Sequence, residues 1–147
     1  MPGVAAAIAQ LNEMTKGITT AILTTIRPDS TLHSCPMATH PADANGVLWF
    51  LAHNSSEKVE AVRTNQRVNL AYADHASMRY ISVSGSCELV RDRAIAKALW
   101  DASYASWLPG GPENPATVLL KVDIQQVEYW DAAKGCMVSL LGMPRVM

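Results

Sequence analysis

The most regular hydrophobic pattern in this chain runs through residues 80–89. One face is apolar or small (Ile81, Val83, Gly85, Cys87 and Leu89), and the other carries Ser82, Ser84, Ser86 and Glu88. Successive side chains of a β-strand point to opposite faces, so this alternation predicts a strand that is buried on one side only. Such strands are typical of antiparallel sheets with one core layer. The chain is therefore expected to be mainly β.

Other segments rich in β-branched or alternating residues predict further strands at residues 18–26, 31–39, 47–53, 68–73, 116–130 and 136–141. Pro36 lies inside the second of these segments, which is typical of an edge strand or a bulge because proline has no N–H to donate. Turn signals at Pro28-Asp29 and Asn45-Gly46 separate the first three segments. We therefore expect those three strands to form an antiparallel meander.

Helical features appear in three places. Residues 1–14 are rich in Ala, Leu and Gln, and Asn54 with Glu57 resembles a capping box that starts a helix ending near Asn65. Asp92 is expected to cap another helix that reaches Trp107, with an apolar stripe at Ile95, Leu99 and Ala102.

The loop at residues 108–115 is rich in proline and glycine. Six or seven short strands, a few helices and short links predict a small β-barrel whose openings the helices cover.

Composition excludes several classes of protein. The 147 residues suit one domain, and 49% hydrophobic with 17% charged residues exclude a disordered chain. The net charge is −1 and no dense basic cluster occurs, so no nucleic-acid binding is expected. No apolar run reaches the roughly 18 residues of a membrane span, and no signal peptide is recognisable, so no membrane partner is expected.

Cysteine and histidine usage points to a reducing compartment without a metal centre. Cys35, Cys87 and Cys136 are widely separated, which suits neither a disulfide framework nor a zinc site, so a cytoplasmic location is expected. The histidines lack the spacing of metal ligands, and no metal is expected. Motifs of the forms GxSxG, HExxH, GxGxxG and GxxxxGK[ST] are missing, and the catalytic residues are left unassigned.

Residues 53–58 have the composition of an anion-binding site. A helix N-terminus presents unpaired N–H groups and a partial positive charge. Ser55 and Ser56 add hydroxyl groups there, and Lys58 adds a full charge. Ordinary capping beside a solvated lysine explains the same residues, and the local sequence by itself favours that simpler interpretation.

Four segments, taken in order, extend the argument to the whole chain. They are His33-Ser34-Cys35-Pro36-Met37, Trp49-Phe50 followed by Ser56 and Lys58, residues 65–72 (NQRVNLAY), and Val127-Glu128-Tyr129-Trp130-Asp131. With the Pro-Gly-Gly-Pro loop, this order resembles the flavin-binding split-barrel superfamily that includes pyridoxamine 5'-phosphate oxidase, especially its general stress protein branch. The similarity covers residues 5–141, so residues 1–147 are interpreted as one FMN-binding split-barrel domain.

The resemblance implies a mainly β fold, a six-stranded antiparallel split β-barrel with short flanking helices, which pairs into a homodimer. FMN, with FAD or another flavin as alternatives, would lie in a groove between the subunits, and any catalysis would be redox chemistry through the flavin. The implied cofactor-binding residues are Ser34, Cys35, Pro36 and Met37 on the second strand, Phe50 and Leu51 on its neighbour, Ser55, Ser56 and Lys58 at the phosphate, and Trp130 from the partner subunit.

The sequence departs from that family in three places. Relatives commonly have an arginine that reaches the flavin phosphate where this chain has Cys35, and the oxidase has a basic residue where this chain has Glu57. The basic, His-containing substrate segment of the oxidase is replaced by residues 132–137 (AAKGCM). Pyridoxamine phosphate oxidation itself is therefore not expected.

Three alternatives stay open at this point. The chain could be a flavin carrier or sensor without turnover. It could be a split barrel that binds a deazaflavin, or one that binds haem through His53 or His75. It could also be a dimeric interaction module with an empty groove.

Overall fold

The computed structural model describes residues 3–142. Its strands are β1 (Thr20–Ile26), β2 (Leu32–Ala38), β3 (Val47–His53), β4 (Arg67–Asp74), β5 (Arg79–Val90), β6 (Thr117–Asp131) and β7 (Cys136–Leu141). Its helices are α1 (Val4–Thr15), α2 (Glu57–Thr64) and α3 (Arg93–Leu99), with short 3₁₀ helices at Ala102–Ser106 and Gly111–Glu113.

The strands form one antiparallel sheet in the order β2-β1-β4-β5-β6-β3, with β7 also beside β6. Every strand contributes to the same hydrophobic core, for example through Leu23, Met37, Phe50, Leu70, Val83, Val122 and Leu140. Within residues 3–142 no strand pairing joins β2 to β3, the two ends of this order. Because the two ends share one core, the sheet must curl into a barrel that stays open between β2 and β3. The predicted mainly β, antiparallel split barrel with short helices is confirmed.

The sheet has seven strands instead of the six implied by the resemblance, because one edge of the long β6 serves two partners. Residues 117–123 pair with β3, and residues 127–131 pair with β7. β5 shows the expected alternation, with Ile81, Val83 and Cys87 buried on the core side. Pro36 lies on an end strand of the sheet order, as its missing N–H predicts.

The predicted meander of the first three strands is wrong. β1 pairs with β2, but β3 pairs with β6 at the far end of the sheet. The Asn45-Gly46 signal does mark a turn, in which the N–H of Gly46 donates to the carbonyl of Asp43 at 3.0 Å. That turn ends a longer connection, residues 39–46, which leads from β2 to β3 across the barrel opening. The chain therefore does not return beside β2.

The helix predicted from Asp92 to Trp107 is shorter and interrupted. Asp92 does cap α3, accepting from the N–H of Ile95 at 3.1 Å, but α3 ends at Leu99. The backbone is extended at Trp100 and restarts as a 3₁₀ helix, because the carboxylate of Asp101 accepts from the N–H of Ser103 at 2.8 Å. The second cap therefore ends the helical run that periodicity alone would continue.

A bulge at Gly85 lets β5 and β6 bend together. The register shifts there, with Ser84 opposite Gln126 and Gly85 opposite Ile124. A Cβ atom at Gly85 would lie 2.3 Å from the backbone carbonyl oxygen of Asp123. Since backbone cannot move aside like a flexible side chain, this position requires glycine.

Gly85→Ala should lower the free energy of unfolding by about 3 kcal/mol, because the added methyl group overpacks a rigid backbone contact. Ser86→Ala, the neighbouring position in the same strand, is the matched control. It should change stability little, because within residues 3–142 the Ser86 hydroxyl has one long hydrogen bond, of 3.4 Å to Gln66. Urea unfolding of the three proteins measures the effect. Equal stability of Gly85→Ala and the original chain would contradict the close packing at the bulge.

All three cysteines are free, with Cys35 half-buried, Cys87 buried and Cys136 exposed. Burial raises the pKa of the Cys87 thiol to about 12 and also raises the pKa of Cys35. Because the thiolate is the reactive form, both groups react more slowly near neutral pH than an ordinary thiol.

A chromogenic disulfide reagent at pH 8 should therefore titrate Cys136 rapidly, Cys35 slowly and Cys87 only after denaturation. The rate for Cys35 should keep rising with pH beyond the range of an ordinary thiol, because its pKa is raised. Cys136→Ser should remove the fast phase and Cys35→Ser the slow one. A total of fewer than three thiols in non-reducing denaturant would show a disulfide and contradict the structure.

Candidate functional site

A groove of about 400 Å³ opens beside β2, at the side where the barrel is split. It is lined by Thr20, Pro36, Met37, Ala38, Lys58 and Trp107. Thr20 and Ala38 are opposite one another in the β1–β2 ladder, whereas Lys58 lies in the first turn of α2, soon after β3 ends. The two free ends of the sheet thus supply the two chemical halves of the groove: an apolar strand and a helix start that carries a charge.

Lys58 is the cationic residue that lines this groove. Its side chain is half-buried and forms no ion pair with a carboxylate within residues 3–142. The charge of Lys58 acts on the neighbouring Cys35, whose pKa is raised by burial against the lowering effect of Lys58. Cys35 is therefore a neutral thiol at pH 7, and the ammonium group remains available for an anion.

The start of α2 has no side-chain cap. Ser56 is the N-cap residue, but its hydroxyl donates to the carbonyl of His53 at 2.7 Å. The Ser55 hydroxyl and the Ser55 N–H both contact Nδ1 of His53, at 2.8 and 3.1 Å. The first-turn N–H groups of the helix therefore receive no side-chain oxygen from its N-cap.

The predicted capping box is wrong, because neither of its members caps the helix. The amide oxygen of Asn54 accepts from Arg63 at 2.8 Å and from Arg91 at 3.4 Å. The carboxylate of Glu57 turns the other way, towards Arg27. In the folded chain both side chains bond to arginine residues instead. These charged groups are stronger partners than the backbone N–H groups that the local pattern predicts.

Glu57 lies next to Lys58 in sequence but is bound to other cations. It accepts a hydrogen bond from Arg27 Nε, and its second oxygen lies 3.4 Å from His33 Nε2. The hydrogen bond from Arg27 lowers the pKa of this carboxyl, with His33 adding to the effect. Arg27 thus offsets the negative charge that the sequence places beside Lys58.

Several residues implied by the resemblance lie outside this groove in their own chain. The hydroxyl of Ser34 bonds to that of Thr24 at 2.8 Å on the exposed side of the β1–β2 hairpin. Phe50 is 0% exposed in the main core, and Leu51 is 3% exposed in a second cluster packed under the 3₁₀ segment. Their side chains are therefore enclosed by protein.

Trp130 is 36% exposed and pairs with Met137 across β6 and β7, also away from the groove of its own chain. The structure therefore places Pro36, Met37 and Lys58 in the groove lining, with Cys35 near Lys58. Ser55 and Ser56 lie on the turn that leads into α2. Ser34, Phe50, Leu51 and Trp130 are separate from the groove lining.

Trp107 lines the groove, although the sequence pattern predicts no role for it there. It follows the 3₁₀ helix Ala102–Ser106 and packs on Tyr104, whose ring also contacts those of Trp100 and His40. The available signal was the spacing of three aromatic residues by four and then three positions. That spacing indicates a shared face on a helix, but it does not indicate which surface the face covers.

Residues 3–142 show neither a candidate membrane-spanning helix nor a candidate metal cluster. No helix in this part of the chain is long and apolar enough to cross a membrane. No group of three or more His, Cys, Asp or Glu side chains there is arranged to hold a metal ion.

The fold and sequence are similar to those of several known proteins. General stress protein 26 from Bacillus anthracis str. Sterne superposes with a TM-score of 0.74 at 24% identity, covering 92% of this chain and 98% of that one. The general stress FMN/FAD binding protein from Xanthomonas citri gives a TM-score of 0.70 at 24% identity, covering 97% of each chain. A pyridoxamine 5'-phosphate oxidase-related, FMN binding protein from Nostoc punctiforme PCC 73102 gives 0.70 at 14% identity, covering 91% of this chain and 92% of that one.

Another relative is matched over only part of its length. Protein bli-3 of Neurospora crassa is 23% identical over 108 residues, which are 67% of this chain, and the chain spans about half, 52%, of that protein.

The family assignment follows from the extent of the match. The model of the family described as pyridoxamine 5'-phosphate oxidase like matches residues 6–146, nearly the whole chain. The split barrel, with its groove between an apolar edge strand and the start of α2, agrees with that match in fold. This chain belongs to the pyridoxamine 5'-phosphate oxidase-like family.

Proposed function

We propose that this protein binds FMN in the groove beside β2, as a cytoplasmic homodimer of the general stress protein type. The observation that carries the proposal is Lys58, a half-buried cation without a carboxylate partner in residues 3–142, at the uncapped start of a helix. The names of the similar proteins from Xanthomonas citri and Nostoc punctiforme describe FMN-binding proteins, which supports the same ligand. The three free cysteines support the reducing compartment.

The phosphate half of the groove rests on two sources of positive potential. The uncapped N–H groups of α2 and the helix dipole favour an anion at this end of the helix. Lys58 supplies a full charge in the same turn. Because Cys35 is neutral and Glu57 is engaged by Arg27, Lys58 is the side chain expected to contribute most to holding a phosphate.

The ring half of the groove rests on its apolar lining. Pro36, Met37 and Ala38 form one wall, and the volume of about 400 Å³ lies within the range of small-molecule sites. A flavin, when bound, supplies hydride or one-electron transfer, while the protein supplies position and electrostatics. Flavin-dependent redox activity is therefore the chemistry we propose for this site.

Lys58→Ala should weaken FMN binding about ten- to hundredfold, because a hydrogen bond to a charged group contributes about 1.5–3 kcal/mol. Riboflavin has no phosphate and should lose much less affinity. Lys16→Ala, which removes a lysine from the turn after α1, is the matched control and should bind both flavins normally. Fluorescence titration of each protein with each flavin measures the dissociation constants.

Two results would separate the parts of this proposal. Unchanged FMN affinity in Lys58→Ala would place the phosphate elsewhere and overturn the assigned site. Failure of the original protein to bind either flavin would overturn the ligand itself. If FMN binds, its bleaching by NADH or NADPH with turnover shows an oxidoreductase, and its persistence in the oxidised form shows a carrier or sensor.

The homodimer is supported by the outer side of the sheet, called here the outer face and defined by Ile22, Leu32, Ser82, Trp130 and Met137. Leu32 is 69% exposed, Ile22 41% and Met137 41%, and large apolar side chains exposed together on one face are typical of protein interfaces.

The polar groups of this face bond to one another. The amide of Asn69 donates to the hydroxyls of Ser82 and Ser84 at 2.9 and 3.0 Å, and the Thr24 and Ser34 hydroxyls pair at 2.8 Å. A face of exposed apolar residues and self-satisfied hydroxyls suits an isologous contact with a second copy. Trp130 lies on this face and would reach the partner's groove from it.

Leu32→Glu should convert the dimer to a monomer, because it places a charge in an apolar contact. Val4→Glu, at a 60% exposed position on α1 outside the outer face, should leave the dimer intact. Sedimentation at micromolar concentration measures the mass. An original protein that sediments as a 15.9 kDa monomer would overturn the dimer.

A further inference from the structure

One wall of the groove is a prebuilt aromatic surface. Trp107 lines the groove and is 42% exposed, although it is among the largest apolar side chains of the protein. Tyr104 supports it from behind, with ring centroids 5.2 Å apart and planes tilted by 48°. An indole that packs on one ring and is partly exposed in a groove can pack against a further aromatic ring.

The position of Trp107 is determined by the fold. Tyr104 is 9% exposed, and its hydroxyl lies 3.2 Å from Nε2 of His40. Trp100 makes an edge contact with Tyr104 at 5.7 Å between centroids. Asp101 caps the intervening 3₁₀ helix. The wall therefore needs little ordering when a ligand binds, and preorganisation of this kind favours affinity.

The remaining surfaces of the groove define what this wall can contact. Pro36 offers exposed apolar surface, and the cation of Lys58 lies in the same groove. A ligand that uses all of these features needs a planar apolar ring and an anionic group, which are the two parts of FMN.

We propose that Trp107 is the residue of this chain that packs against the isoalloxazine ring, while Lys58 holds the phosphate. This assignment rests on the proposed flavin binding and adds the ring contact to it. It predicts that the two ends of the ligand respond to different substitutions: Lys58 discriminates FMN from riboflavin, whereas Trp107 acts on both equally.

Trp107→Leu should weaken FMN and riboflavin by the same factor, about tenfold, because both flavins contain the ring and aromatic pairs add to the burial of area. Trp107→Phe keeps a ring but removes the indole, which quenches the emission of a flavin in contact with it. The emission of bound flavin should therefore rise severalfold in Trp107→Phe. Trp49→Phe removes an indole from β3, outside the groove lining and without a ring contact to Tyr104 or Trp107, and it should bind and emit as the original protein does.

The outcomes distinguish this inference from the proposed function. If the original protein binds FMN while both Trp107 variants keep its affinity and emission, the ring contact is overturned and flavin binding stands. If Trp107→Leu keeps its flavin affinity but sediments as a monomer, Trp107 is a subunit contact and the inference fails. If the original protein binds no flavin, both fail. Should Trp107→Leu lose the circular dichroism of the fold, the emission of Trp107→Phe decides the question.

Discussion

Within residues 3–142 the two ends of the sheet, β2 and β3, are joined by a shared core and not by strand pairing. Met37 from β2 and Phe50 from β3 are buried in the same cluster although their strands lie at opposite ends of the sheet order. Burial of apolar side chains is non-directional and needs no strand pairing, so it can close a barrel and still leave two backbone edges free. The groove beside β2 exists because of that incomplete closure.

The same geometry decides the electrostatics of the groove. α2 follows β3 directly, so its N-terminus and Lys58 are brought close to β2 when the sheet curls. Glu57 is adjacent in sequence but occupied by Arg27 from the end of β1. Cys35 is neutral, so the groove relies on Lys58 and the start of α2 for its positive potential.

The position of Tyr104 and Trp107 beside the groove also depends on both local structure and long-range packing. Asp101 interrupts the helical run that begins at Asp92, and the resulting 3₁₀ helix buries Tyr104 over Leu51 and Leu119 of the sheet. That packing directs Trp107 to the groove. Periodicity instead predicts one continuous helix as far as Trp107. In such a helix the helical geometry alone would position the aromatic rings, and no cap at Asp101 would be needed.

Local pattern was sufficient for the strands, because alternation and turn residues act over a few positions; β5 and β7 and the cap at Asp92 follow from it directly. The resemblance adds the split barrel, and it names Cys35, Pro36, Met37 and Lys58, which the structure brings together. Pairing of β3 with β6, the engagement of Glu57 by Arg27 and the arrival of Trp107 in the groove were decided only in three dimensions. Each joins residues far apart in the chain, and such contacts depend on how the sheet curls around its core, which no short stretch of sequence encodes.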